Sequence, residues 1–148
     1  MAALDALARR DYASADLRRK LLGKGYDAAL VATLLETLRA EKLLDDQRYA
    51  ENFVALHAAR GQGPVRVRAE LHRHGLTGSL VGECLDAFPD WIVQLQNARQ
   101  KKFGARLPVN RVDAQRQARF LGYRGFTSAQ IRTALGFDIE LNSDTEDT

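Results

Sequence analysis

A chain of 148 residues suffices for one ordinary domain or a few small packed units, and its 45% apolar content is that of a globular protein. The single cysteine, Cys84, excludes an internal disulfide and suits a reducing compartment. No apolar run approaches the roughly 20 residues of a membrane span, and no charged-apolar-small leader precedes the first helix, so a soluble cytoplasmic protein is expected. The net charge of +3 hides an asymmetry: residues 138–148 hold five acidic residues and no base, leaving +8 on residues 1–137. A basic body with an acidic, disordered tail points to a polyanionic or acidic partner.

In chain order, a short helix is predicted to end near Arg10, Ser14 to cap a second and Asp27 a third. On that third helix Leu30, Val31, Leu34, Leu35 and Leu38 recur at the spacing of one helical face. Asp45 or Asp46 then caps a helix carrying Tyr49, Phe53, Val54 and His57. This helix breaks at Gly61-Gln62-Gly63, and Pro64 opens the next, where its fixed φ suits a first turn. Leu80, Val81, Cys84, Leu85 and Phe88 repeat the first apolar face. Trp91, Ile92 and Leu95 begin a further helix, and a longer connection, Gly104-Ala105-Arg106-Leu107-Pro108, precedes the one after it.

Gly25, Gly75 and Gly125 stand fifty residues apart within one shared local grammar. Residues 17–35, 67–85 and 117–135 align on them. A leucine lies four residues before each glycine (Leu21, Leu71, Leu121), and Lys24, His74 or Arg124 immediately before it. A large apolar residue follows (Tyr26, Leu76, Phe126), then Asp27, Thr77 or Thr127. This reads as a helix ending at a left-handed glycine, an apolar residue folding back, and an N-cap starting the next helix. The predicted fold is all-α, with three tandem three-helix repeats at 1–44, 45–88 and 89–137 in an elongated or curved array.

The repeats also act as an internal control on chemistry. Cys84 aligns with Leu34 and Ala134, a core position. His57 aligns with Leu7, and His72 with Leu22 and Gly122, and neither has a second ligand at metal spacing. His74 shares its place with Lys24 and Arg124, where a cation complements the helix dipole. Gly61-Gln62-Gly63-Pro64 lacks the lysine-serine/threonine ending of a phosphate loop. Neither a catalytic group, a metal nor a cofactor is expected.

Cations, by contrast, recur beside the apolar stripe of each second helix: Arg18, Arg19, Lys20 and Lys24, then Arg66, Arg68 and Arg73, then Arg116, Arg119 and Arg124. Arg60, Arg99, Lys101, Lys102 and Arg106 thicken the charge toward the middle and third units. Arginine grips carboxylates and phosphates alike, so acidic protein and nucleic acid both fit. The candidate partner-binding set is Arg18, Arg19, Arg48, Arg60, Arg66, Arg68, Arg73, Lys101, Lys102, Arg119 and Arg124.

At these residues the sequence resembles the RecX family, regulators of the bacterial recombinase RecA. The matching stretches are Asp16 to Leu21 (DLRRKL), Leu43 to Ala50 (LLDDQRYA), Arg60 to Leu71 (RGQGPVRVRAEL), Lys102 to Gly104 (KFG) and Phe120 to Phe126 (FLGYRGF). They follow the family's order over about residues 4–137; Asp16 stands where the family often has glutamate. The resemblance implies three tandem three-helix repeats. It further implies a non-enzymatic modulator that docks on the RecA–DNA filament and restrains its ATPase, strand-exchange and co-protease activities. A monomer is expected, and weak phosphate contacts to single- or double-stranded DNA are compatible with filament binding. The alternative is a direct DNA-binding protein of helix-turn-helix type.

Overall fold

The computed structural model describes residues 2–136, so the acidic tail at 138–148 lies outside the described residues. Among those described there are nine α-helices and no strand. The first unit holds α1 (Ala2–Arg9), α2 (Ser14–Gly23) and α3 (Ala28–Ala40). The second holds α4 (Asp46–Ala59), α5 (Pro64–Arg73) and α6 (Ser79–Ala87), and the third α7 (Trp91–Phe103), α8 (Arg111–Tyr123) and α9 (Ser128–Leu135). Among the described residues no helix is long and apolar enough to cross a membrane.

Each second helix ends as the glycine pattern predicts. Gly25, Gly75 and Gly125 have φ of 91°, 82° and 98°, a region that penalises a Cβ. The amide N–H groups of Tyr26, Leu76 and Phe126 donate to the carbonyls of Leu21, Leu71 and Leu121, and those of the three glycines to residues 22, 72 and 122. This paired pattern satisfies carbonyls that a helix end otherwise leaves open. The register of the repeats is kept inside the core: residues 17/67/117, 21/71/121, 31/81/131 and 35/85/135 are all buried. A fully buried leucine contributes about 2 kcal/mol, which is how helices of 8–14 residues become stable together.

Four local expectations are corrected. Ser14 is not the cap of α2; it lies inside the helix, and its amide is capped by the Asp46 carboxylate of the next unit at 2.8 Å. Thr77 caps nothing, because Gly78 holds the N-cap place with φ 73°. Asp27 and Thr127 do cap α3 and α9, the latter through a reciprocal capping box with Gln130. Tyr26 does not fold back into the core and Leu30 leaves the apolar face: they are 51% and 69% exposed.

The units join in sequence. Leu17, Leu21, Val31, Leu35, Leu38 and Leu44 build the core of the first unit, and a second core runs continuously through the other two, with α4 packed on α7. At both joints the turn after one unit's second helix seats on the start of the preceding unit's second helix. His74 meets Asp16 (Nδ1 to Oδ2, 2.6 Å), and Gly75 lies over Ala15. One unit later, the carbonyls of Arg124 and Gly125 accept the amides of Gly63 and Val65 at 2.7 and 2.9 Å. A Cβ on Gly63 would stand 2.3 Å from the backbone of that turn, so this seat admits no side chain.

Candidate functional site

The joint between the second and third units opens into a cleft of about 360 Å³, walled by three elements. From the end of α4 come Ala59, Arg60 and Gly61. From α7 come Gln94, Asn97, Ala98 and Lys101, one face of the helix by their spacing, with Lys102 beside them. From α8 come Phe120 and Arg124, one turn apart. Lys101 and Lys102 lie in the last turn of α7, where the helix dipole favours cations. Four cations thus share a concave wall with two amide side chains, and no carboxylate is among the lining residues.

The cations of this wall differ in freedom. Arg124 is tied to the fold: its Nε donates to the Gly61 carbonyl at 3.1 Å and an Nη to that of Arg60 at 2.6 Å. It therefore closes the end of α4 from the next unit, a role that the helix-dipole reading of its place did not anticipate. Arg60, Lys101 and Lys102 are exposed. Lys102 also lies 5.8 Å from the centre of the Phe120 ring, which in turn meets Phe103 edge-on at 5.3 Å. The aromatic face holds the ammonium near the cleft without neutralising it.

Of the eleven candidate residues, the structure gathers Arg60, Lys101, Lys102 and Arg124 here. Arg18, Arg19, Arg66, Arg68, Arg73 and Arg119 are exposed but do not line the cleft. Arg19 pairs with Asp16, and Arg73 with Glu70, one helical turn away in each case. Such exposed pairs contribute little to stability. Arg48 is committed elsewhere, donating to the Lys42 and Leu43 carbonyls and pairing with Asp11. It secures Lys42, the one described non-glycine residue with positive φ.

Arg99, read from sequence as part of the surface charge, is 1% exposed. Its guanidinium donates to the Gln96 side chain and to the carbonyls of Gly104, Ala105 and Arg106, knitting the connection after α7. Gln94 and Asn97 were missed by a search for charge alone. Their signal was the polar spacing 94, 97, 101 on a helix whose other face carries Trp91 and Leu95.

Elsewhere, Cys84 is buried, and burial first, then the carboxylates of Glu51 and Glu83, pushes its thiol up from the ordinary range. Lys20 and Arg10 flank the Tyr12 hydroxyl and draw its titration down. Among the described residues no three His, Cys, Asp or Glu side chains converge as a metal set would.

The chain matches three family descriptions in tandem: the first three-helix domain of RecX over residues 1–38, the second over 45–85 and the third over 92–135. A regulatory protein RecX of Halorhodospira halophila is 46% identical over 134 residues, 90% of this chain and 83% of the relative. One from Ectopseudomonas mendocina is 41% identical over 131 residues, 88% of this chain and 87% of its own. In fold, the chain is similar to the crystal structure of RecX from Lactobacillus salivarius, with a TM-score of 0.80 at 18% identity over 91% of this chain and 90% of that one. A second structure, of a regulatory protein RecX, superposes with a TM-score of 0.72 at 22% identity, covering 90% and 68%.

Proposed function

The chain belongs to the RecX family of regulatory proteins, and from that premise we propose that it acts in the cytoplasm as a non-enzymatic regulator of the RecA–DNA filament. It binds the filament and restrains ATPase, strand exchange and co-protease activity, and so acts on recombination, repair and the SOS response. On this reading the chain divides at residues 44, 88 and 137, acts as a monomer, and needs no cofactor. The observation that carries the proposal is the cleft between the second and third units, where Arg60, Lys101 and Lys102 are exposed beside the anchored Arg124 and no carboxylate is among the lining residues. A filament of protein on nucleic acid is a repeating polyanion, and a rigid basic joint is suited to bridge neighbouring protomers and resist their motion. Arg18, Arg19, Arg66, Arg68, Arg73 and Arg119 lie outside the cleft and would extend the contact along the array, whereas Arg48 serves the fold.

The experiment is a titration of RecA ATPase on single-stranded DNA with this protein at two salt concentrations. Inhibition that weakens at the higher salt is expected, because contacts to phosphates release counterions. A RecA ATPase unchanged at stoichiometric excess would overturn the reading. Naked DNA bound as tightly as the filament would replace it with the direct DNA-binding alternative, which Gln94 and Asn97, amide donors beside the two lysines, make the natural second reading.

A further inference from the structure

The three turns are built alike, but only two are covered. Leu76 and Phe126 are each 3% exposed, whereas their counterpart Tyr26 is 51% exposed. Stacking is the cause. The second turn seats on the start of α2 and the third on the start of α5, while no described helix start seats on the first. Gly25 accordingly has nothing within 4 Å of the place where its Cβ would stand. Leu30 lies nearby at 69% exposure, and with Leu21, Val31 and Leu34 it continues the Tyr26 surface as an apolar groove of about 260 Å³. Its polar atoms are few, and a rim carrying Arg9, Lys20 and Lys24 with a single carboxylate, Asp5, adjoins it.

The two internal joints define what such a turn accepts, namely the first turn of a helix. Gly75 lies against Ala15 and His74 binds Asp16, the second and third residues of α2. Gly125 lies against Arg66, and its carbonyl takes the amide of Val65, the third and second residues of α5. At the free turn Lys24 occupies the place of His74, one residue before Gly25. We propose that this free end of the first unit is a protein-docking surface whose occupant is the first turn of a helix in a partner protein, carrying a small residue followed by an acidic one. Tyr26 and Leu30 supply the apolar seat and Lys24 the ion pair, in the geometry of the first internal joint.

A second copy of this chain fits poorly. Its own open counterpart, the start of α8, is already capped by the Asn110 side chain, and α8 has 13 residues against 10 in α5. Val112 in that extra turn and Val109 just before its cap are both exposed where a flat seat is required.

The inference rests on the function proposed above, which supplies the partner to be used as probe: the RecA filament on single-stranded DNA. Two variants are compared with the parent, the double substitution Tyr26→Ser/Leu30→Ser and the single Lys24→Glu. All three residues are exposed, so melting should be nearly unchanged. Filament affinity should fall by about tenfold or more, as when an interface anchor is truncated, while affinity for naked DNA stays at the parent's value because the basic cleft is intact. A parent that binds the filament, with variants that bind it equally, overturns the inference alone. A parent that leaves the filament untouched overturns the proposed function, and this surface with it. Parent protein that self-associates in sedimentation equilibrium, with monomeric variants, makes the occupant a second copy and overturns the inference too.

Discussion

Gly75 and Ala15, sixty residues apart, touch so closely that a Cβ on the glycine would stand 2.4 Å from the Cβ of the alanine. That contact is the seat of the second unit on the first. It makes the turn glycine a residue of the joint as well as of its own helix end, and the repeat supplies the comparison that separates the two roles.

Gly75→Ala and Gly25→Ala both place a side chain at positive φ, which costs about 1 kcal/mol. Only Gly75→Ala adds a collision, and overpacking costs a further 1–3 kcal/mol or so. Urea unfolding of the two variants should therefore differ by that increment. Equal losses would mean that the joint relaxes freely and the contact has no structural role.

Lys101→Ala/Lys102→Ala should weaken salt-dependent binding to the filament and to DNA with little change in melting, since both side chains are exposed. Arg66→Ala/Arg68→Ala/Arg73→Ala should have the smaller effect, because none of the three lines the cleft. If the arginine variant is the more defective in a filament-binding titration, the contact face lies along α5 instead.

Arg99→Ala should destabilise the third unit by on the order of 3 kcal/mol, since it strips donors from several carbonyls of one connection. Arg119→Ala, exposed on α8, should change stability by about 0.5 kcal/mol at most. Thermal melts of the two variants provide the check, and a mild Arg99→Ala would show that the connection holds without its clamp.

Gln117 occupies the core place of Leu17 and Val67 and is 2% exposed, with its amide nitrogen on Asp113 and no partner for its carbonyl oxygen. Gln117→Leu removes a desolvated acceptor without changing the volume much. It should be neutral to stabilising by about 1 kcal/mol. A clear drop in the denaturation midpoint would mean that the bond to Asp113 outweighs the orphaned oxygen.

Cys84 should react slowly with a thiol reagent in the native state and rapidly in denaturant, because burial both shields it and disfavours the thiolate. The sign of its pH linkage follows. A thiol whose folded value is raised contributes stability in full below its unfolded value, and loses it as pH rises through the folded one. Cys84→Ala should therefore flatten the alkaline limb of the stability profile. Fast native labelling would place the sulfur at the surface.

The helical class, the three turns and the buried register were legible in the chain itself, because they depend on local chemistry repeated three times. A glycine that must adopt positive φ, a leucine four residues before it and an apolar periodicity of one helical face each act within a few residues of themselves. The family resemblance was legible for the same reason. The fate of individual charges was not. Arg124, Arg99 and Arg48 look like the surface arginines around them, yet each is aimed at carbonyls that tertiary packing or a neighbouring connection leaves open. The exposure of Tyr26 is likewise hidden in its sequence, which matches that of buried Leu76 and Phe126; it stays open because no described helix start seats on its turn. Local patterns fix which way a chain turns, but desolvation and hydrogen-bond satisfaction depend on what arrives from fifty residues away, and that is decided only when the units stack.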